Sequence, residues 1–177
     1  MSVIKVHDKE FGIYLSEEKI QERIKELAEK INTDFTGKRP LFIGILNGSF
    51  MFASDLFKYL TIEAELCFIK LASYKGLKST GKVVTSIGLE EDIFDKDIII
   101  VEDIIDTGKT LHDFLPKLKH QNPQSIKIAT LLHKSEATEY PLNPDYVGFV
   151  IPNRFVVGYG LDYDGLGRNL KEIYQLV

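Results

Sequence analysis

The sequence predicts an α/β fold, with a mostly parallel, twisted sheet flanked by helices. Two observations carry this prediction: strand-like and helical segments alternate along most of the chain, and several strand-like segments are continuous apolar runs. Such runs are typical of strands that are buried on both faces of a parallel sheet. The chain has 177 residues, a length that fits one domain, and it shows no internal repeat and no long linker. We therefore expect a single domain over residues 1–177.

The predicted elements follow from apolar periodicity. Residues 16–32 have the pattern of a surface helix, with Ser16 as its N-cap. A second helix is predicted over 50–60 and a third from about Thr107 to about His120, where Pro116 should cause a kink or an early end. Residues 75–82 have the composition of a mobile loop. Strands are predicted over residues 40–46, 64–74, 83–89, 97–103, 125–132, 145–151 and 155–161.

Composition excludes several classes of function. The formal net charge is −4, with both signs spread along the chain, which argues against broad nucleic-acid binding. No apolar stretch approaches the roughly 18 residues of a membrane span, and the N-terminus lacks the apolar region of a signal peptide. The single cysteine, Cys67, lies in an apolar run and predicts a buried structural thiol. We expect a cytoplasmic protein with no membrane and no nucleic-acid partner.

The stretch VEDIIDTGKT, residues 101–110, holds the main candidate site. Glu102 and Asp103 come at the end of the most apolar strand, and ligands of open α/β sheets bind at the carboxyl ends of strands. Gly108 permits close approach of the backbone to a ligand, and Thr107 and Thr110 place hydroxyls at a helix N-terminus, which attracts phosphate. The stretch can therefore hold anionic oxygen, together with Mg²⁺ or a sugar diol.

Three other interpretations of this stretch fit less well. A phosphate-binding loop of the Walker type needs a glycine where this chain has Asp103. The triplet of residues 106–108 also occurs in aspartic proteases, but these need a second triplet and an all-β setting. The third interpretation is a solvated acidic turn with Asp106 as a helix N-cap, which does not account for the acids before the turn and the hydroxyls after it.

The same stretch resembles the phosphoribosyl-pyrophosphate motif of type I phosphoribosyltransferases, and most closely that of the hypoxanthine-guanine phosphoribosyltransferases. Further segments are similar to this family in the same order: residues 45–56, 70–74, 131–134 and 144–168. The resemblance implies the type I phosphoribosyltransferase fold, with a core over about 35–145 and a small hood from about 1–15 and 146–177. It also implies magnesium-dependent transfer of 5-phosphoribosyl from phosphoribosyl pyrophosphate to N9 of hypoxanthine or guanine, giving IMP or GMP and pyrophosphate.

The resemblance also implies roles for individual residues. Asp106 is the expected catalytic residue, which handles the proton at the purine N7. Mg²⁺ is expected on Glu102, Asp103 and Asp162. The purine is expected against Ile104, Lys134, Phe155, Val156 and Asp162, with Lys134 donating to O6, Phe155 stacking on the ring and the backbone of Val156 at the pyrimidine edge. Phosphoribosyl pyrophosphate is expected to contact Leu46, Asn47, Gly48, Ser73, Tyr74, Glu102, Asp103, Asp106, Thr107, Gly108, Lys109, Thr110 and Arg168.

One departure from the family concerns position 47, which is Asn where a lysine or arginine is common. A charge-based role is therefore not expected there, and Arg168 should supply the positive charge for pyrophosphate. In the family, the peptide bond at the position of Leu46–Asn47 is often cis.

Two rival functions remain open from the sequence. One is a transferase for another base, such as xanthine or a pyrimidine. The other is a regulatory protein that senses phosphoribosyl pyrophosphate and binds nucleic acid, which would require a basic surface or an added domain. The family usually forms dimers or tetramers, and we expect a homodimer or homotetramer here.

Overall fold

The computed structural model describes residues 3–73 and 83–177. Tyr74 and the expected mobile loop at 75–82 lie outside this range. In the described ranges, no helix is long and apolar enough to span a bilayer. The elements, in chain order, are β1 Val3–Val6, β2 Lys9–Leu15, α1 Glu17–Asp34, β3 Leu41–Leu46, α2 Phe50–Lys58, β4 Glu65–Ser73, β5 Val83–Ile87, β6 Asp97–Ile105, α3 Lys109–Lys119, β7 Ser125–His133, β8 Tyr146–Val150, β9 Val156–Val157 and β10 Ile173–Leu176.

The main sheet has six strands in the order β5-β4-β3-β6-β7-β8. Strands β4, β3, β6, β7 and β8 are parallel to their neighbours, and β5 pairs with β4 in the antiparallel direction at one edge. The predicted α/β class and mostly parallel sheet are confirmed. Because the central strands run in one direction, the carboxyl ends of β3, β6 and β7 meet at the same edge of the sheet.

Apolar side chains fill both faces of this sheet. Phe42 and Val101 face the cluster under α1 and α2, whereas Ile43 and Ile100 face the cluster under α3. The predicted N-cap of α1 is confirmed, since the Oγ of Ser16 accepts a hydrogen bond from N of Lys19 at 3.4 Å. The apolar stripe of α1 is buried as predicted. Burial on both faces explains why the central strands appear in the sequence as continuous apolar runs.

Helix α3 does not end early at Pro116, as the sequence had allowed, but continues to Lys119. A proline gives up one helical hydrogen bond because it has no N–H group. The following turn is still formed, because N of His120 donates to O of Pro116 at 3.1 Å. The apolar face of α3 is buried through Leu118, and this packing outweighs the missing bond.

A second, antiparallel sheet has the strand order β1-β2-β10-β9 and joins the two ends of the chain. The strand predicted over 155–161 is wrong beyond Val157, because Gly158, Tyr159 and Gly160 have positive φ and turn the chain. Strands β1, β2 and β10 were not predicted. The C-terminal part of the hood was predicted to begin at about residue 146, but β8 at Tyr146–Val150 pairs within the six-stranded sheet. The C-terminal strands of the hood, β9 and β10, therefore come after β8. The division into core and hood stays a proposal.

Candidate active site

The phosphate loop, which we define as residues 106–110, connects β6 to α3. Gly108 is the N-cap of α3 with φ of 83°, and a Cβ on it would lie 2.9 Å from O of Tyr140. Glycine is therefore required here both by backbone conformation and by space. N of Lys109 donates to Oγ1 of Thr107 at 3.3 Å. The loop, together with Glu102, Ile104, Ile105 and Leu111, lines a cavity of about 90 Å³ at the positive end of the helix.

Glu102 and Asp103 lie near the carboxyl end of β6, which continues to Ile105, and as consecutive strand residues they face opposite sides of the sheet. Glu102 is 7% exposed and lines the cavity of the phosphate loop, and its Oε2 has no hydrogen-bond partner among the described residues. Burial, and then the charge of Asp103, raise the pKa of Glu102 well above its usual value. Burial raises the pKa of Asp103 to about 6. The backbone N–H groups of Ile104 and Asp103 and the charge of Arg168 act in the opposite direction and lower this pKa. A buried carboxylate without a partner is costly, so Glu102 is suited to bind a cation or a hydroxyl.

The pyrophosphate segment, which we define as residues 46–49, follows β3. The peptide bond between Leu46 and Asn47 is cis, and the side chain of Asn47 is exposed. Gly48 lies against the carboxyl group of Asp103, so closely that a Cβ would overlap it. In turn, a Cβ on Gly160 would overlap O of Gly48. The hood therefore packs on the pyrophosphate segment at a point where neither side has room for a side chain.

Lys134 and Asp106 form an ion pair at the end of β7. The Nζ of Lys134 lies 2.8 Å from Oδ2 of Asp106, and Lys134 is only 6% exposed, whereas the side chain of Asp106 is 49% exposed. A lysine at a strand end is usually solvated, and a buried ammonium group requires a partner such as this carboxylate. The pair presents a donor and an acceptor side by side, next to the phosphate loop.

Phe155 directly precedes the hood strand β9, which begins at Val156. Phe155 is 44% exposed, and its ring packs edge-to-face on Tyr163, with 5.7 Å between the ring centroids. Val156 is buried and lies opposite Gln175 of β10. An exposed aromatic face held from behind by a second ring is suited to stack on a planar ligand.

Asp162 and Arg168 lie in the hood turn, which we define as residues 158–168. The Nη2 of Arg168 is 2.6 Å from Oδ1 of Asp162, and its Nη1 donates to O of Gly160 at 2.6 Å. The other Asp162 oxygen accepts from N of Gly165 at 2.7 Å. The charge of Arg168 lowers the pKa of Asp103, and the charge of Asp162 raises it.

The acids do not form a complete metal cage. In residues 3–73 and 83–177, no three His, Cys, Asp or Glu side chains are grouped closely enough to hold a metal ion. Mg²⁺ bound with substrate phosphates usually needs only one or two carboxylates and keeps several waters. Glu102, with its oxygen lacking a partner, fits this requirement. Asp162 is engaged by Arg168 and Gly165, so it fits less directly.

Several residues at the site were not predicted from the sequence. Thr138 and Tyr140, in a polar turn after β7, hold the phosphate loop by its backbone. The OH of the buried Tyr159 donates to Asp55 of α2, which also accepts from Gln21 of α1 at 2.6 Å. These contacts join residues far apart in the sequence, and the only available signal was that polar turns follow predicted strands at the ligand-binding edge.

Comparison with known proteins agrees with this arrangement. The phosphoribosyl transferase domain family matches residues 12–164. The chain is 43% identical to a hypoxanthine phosphoribosyltransferase of Buchnera aphidicola over 93% of this chain and 95% of that protein. It is 45% identical to a hypoxanthine-guanine phosphoribosyltransferase of Lactococcus lactis over 91% and 88%, respectively.

A solved structure of similar fold is that of a hypoxanthine phosphoribosyltransferase from Staphylococcus aureus. It has a TM-score of 0.89 and 41% identity, and the match covers 94% of this chain and 91% of that one. The family match, the identities and the shared fold all apply to the segment that contains the phosphate loop. The chain belongs to the phosphoribosyl transferase domain family.

Proposed function

We propose that this protein is a purine-salvage enzyme, which transfers 5-phosphoribosyl from phosphoribosyl pyrophosphate to N9 of hypoxanthine or guanine, giving IMP or GMP and pyrophosphate. The observation that carries the proposal is the ion pair of the buried Lys134 with the half-exposed Asp106 beside the phosphate loop. The names of the related proteins from Buchnera aphidicola and Lactococcus lactis support the same substrate class.

The ion pair complements one edge of a 6-oxopurine. The free base carries a hydrogen on N7 and a carbonyl oxygen on C6, so the edge offers a donor next to an acceptor. Asp106 accepts from N7 and Lys134 donates to O6. Adenine has an amino group at C6, which would leave the buried ammonium facing another donor. An unpaired buried polar group costs enough to give strong discrimination.

The same geometry supplies the proton transfer. As the lone pair of N9 forms the bond to C1′ of the ribose, the bond from C1′ to the pyrophosphate oxygen breaks. The purine then carries excess positive charge, and the hydrogen on N7 passes to the carboxylate of Asp106. Phe155 stacks on the ring during this step, with Ile104 and the backbone of Val156 completing the purine pocket.

The remaining residues hold the sugar and the phosphates. The N–H groups and hydroxyls of the phosphate loop bind the 5′-phosphate at the N-terminus of α3. Pyrophosphate lies on Leu46, Asn47 and Gly48, and Arg168 turns to it from Asp162. Ser73 is the last residue of β4. Ser73 and Tyr74 are further proposed contacts of phosphoribosyl pyrophosphate.

Mg²⁺ is the proposed cofactor, held by Glu102 and Asp103 with a contribution from Asp162. When bound, it neutralises charge on the leaving pyrophosphate. Glu102 and Asp103 also hold the ribose hydroxyls, and the orphaned Oε2 of Glu102 supports this role.

The experiment that tests the function is a spectrophotometric assay with phosphoribosyl pyrophosphate and Mg²⁺, in which hypoxanthine, guanine, xanthine and adenine are compared in parallel. Turnover of hypoxanthine and guanine but not adenine is expected. Tight binding of phosphoribosyl pyrophosphate with no turnover of any base would refute the proposal and favour the sensor function instead.

We also propose a cytoplasmic location and a homodimeric or homotetrameric assembly. Light scattering tests the assembly, and a mass equal to that of the 20.1 kDa monomer would contradict it.

A further inference from the structure

The segment after β7, residues 134–142, crosses beneath the phosphate loop, and we name it the strap. N of Lys134 donates to O of Ile105 at 2.9 Å, and N of both Glu139 and Tyr140 donate to O of Thr107 at 3.0 and 3.1 Å. O of Tyr140 also lies directly against Gly108. The strap is therefore fastened to the chain on either side of Asp106, which has the proposed catalytic carboxylate.

Thr138 lies in the middle of the strap and joins three groups. Its Oγ1 is 3.3 Å from O of Asp106 and 3.1 Å from O of Lys134, and both carbonyls can only accept. The single hydroxyl proton is shared between them. The Nε2 of His133 lies 3.2 Å from the same oxygen, and it donates to this oxygen in the tautomer that carries the hydrogen on Nε2. In that tautomer the hydroxyl of Thr138 is both donor and acceptor.

This hydroxyl connects the backbones of the same two residues whose side chains form the ion pair. Lys134 and Asp106 are 28 positions apart in the sequence, and each directly follows a different strand, β7 and β6 respectively. Their alignment decides whether one purine edge can meet both groups at once, since hydrogen bonds weaken steeply outside a narrow range of distance and angle. A small shift between the strap and the phosphate loop would prevent Asp106 and Lys134 from binding one purine edge together, without unfolding either segment.

We propose that Thr138 is a positioning residue for base recognition: its hydroxyl fixes the spacing between Asp106 and Lys134, so that the pair meets N7 and O6 of a 6-oxopurine together. The proposal rests on the proposed function. It differs from a purely structural role, in which the main-chain bonds of the strap would suffice and the hydroxyl would affect only stability.

The test compares Thr138→Val, which keeps the shape and removes the hydroxyl, with Thr138→Ser, which keeps the hydroxyl. Thr33→Val is the matched control, because its hydroxyl also donates to a carbonyl, that of Glu29 in α1. Thr138→Val is expected to lower kcat/KM for hypoxanthine about tenfold, the size of effect that loss of one such hydrogen bond gives. Thr138→Ser and Thr33→Val should stay within about twofold, and KM for phosphoribosyl pyrophosphate should change little in all three.

A double-mutant cycle decides whether Thr138 acts through Lys134. In a Lys134→Ala background, Thr138→Val should have almost no further effect on kcat/KM, because the group that it positions is gone. A full additional tenfold loss would overturn the proposal, since the hydroxyl would then act independently of Lys134.

A second measurement does not depend on activity. Reductive methylation, followed by peptide mass spectrometry, reports how often the Nζ of Lys134 is accessible, with the more exposed Lys127 as internal reference. Lys134 should be methylated about tenfold faster in Thr138→Val than in the wild type. An unchanged rate would overturn the proposal. Faster methylation of Lys134 in a protein that turns over no base would contradict the proposed function. The positioning of Lys134 by Thr138 would still be supported in that case.

Discussion

The phosphate loop and the pyrophosphate segment lie at the same edge of the sheet but are held in different ways. The phosphate loop is supported by the neighbouring strand of its own sheet, through the strap and the pair of Lys134 with Asp106. The pyrophosphate segment depends on the hood, through the contact of Gly160 with Gly48. The phosphate loop should therefore tolerate changes in the hood, whereas the pyrophosphate segment should not.

The largest effect is expected when the hood is separated from the pyrophosphate segment by Gly160→Ala. The new Cβ would overlap O of Gly48, and the residue has φ of 95°, so both strain and a clash oppose folding. We expect a loss of about 4 kcal/mol in the free energy of unfolding, measured by urea denaturation. Gly165→Ala is the control, because it has φ of 82° but open space around it, and it should cost only about 1 kcal/mol. Equal losses would show that the contact with Gly48 is unimportant.

In the phosphate loop, Asp106→Asn should lower kcat more than it weakens substrate binding. An amide cannot take the N7 proton, so kcat should fall about 100-fold, the range for loss of general acid–base catalysis. Binding of phosphoribosyl pyrophosphate, measured by calorimetry, should weaken far less. Asp145→Asn is the control, because Asp145 also forms an ion pair with a lysine, Lys127, but at the end of β7 that is remote from the site. Unchanged turnover in Asp106→Asn would refute the catalytic assignment.

Glu102 should make the free energy of unfolding depend on pH. Its pKa is raised in the folded protein, so above the ordinary value near 4.5 the unfolded chain loses its proton first, and stability falls as pH rises. Glu102→Gln imitates the neutral form and should raise the free energy of unfolding by about 2 kcal/mol at pH 8, with less gain at pH 5. The exposed Glu22→Gln should show no such trend. A gain that does not grow with pH would contradict a raised pKa of Glu102 in the folded protein.

The smallest effect is expected at the contact between the hood turn and the helices. Tyr159→Phe removes the hydroxyl that donates to Asp55, but Asp55 keeps Lys58 and Gln21 as partners. We expect a loss of about 1 kcal/mol in the free energy of unfolding. Tyr174→Phe is the control, since its hydroxyl donates only to the nearby Glu172. Equal effects in the two variants would mean that the contact with α2 adds nothing specific.

The same contrast explains what the sequence could predict. The phosphate loop is continuous in sequence, follows the most apolar strand and contains its own glycine, so both its place and its chemistry were visible in residues 101–110. The hood strands β1, β2 and β10 are short and pair residues from opposite ends of the chain, so no local pattern could indicate them. For the same reason, the contacts of Thr138 with Asp106 and of Tyr159 with Asp55 could not be predicted.

Two elements show where local rules were overridden by packing. Pro116 predicts a disturbance of α3, but the helix continues because its apolar face is buried against the sheet. Lys134 would be a solvated lysine by its position, but the fold buries it against Asp106. In both cases the tertiary environment, which a single sequence does not display, decides the outcome.

The central claim is that the pair of Lys134 and Asp106 selects the base, and the most direct test is the base preference of Lys134→Ala. The measurement is kcat/KM for hypoxanthine and for adenine. Lys127→Ala is the control, because Lys127 is on β7, the strand that Lys134 directly follows, but pairs with Asp145 at the opposite end. We predict that Lys134→Ala lowers kcat/KM for hypoxanthine about 100-fold without a matching loss for adenine, while Lys127→Ala changes neither. An unaltered preference in Lys134→Ala would contradict the account and place base recognition elsewhere.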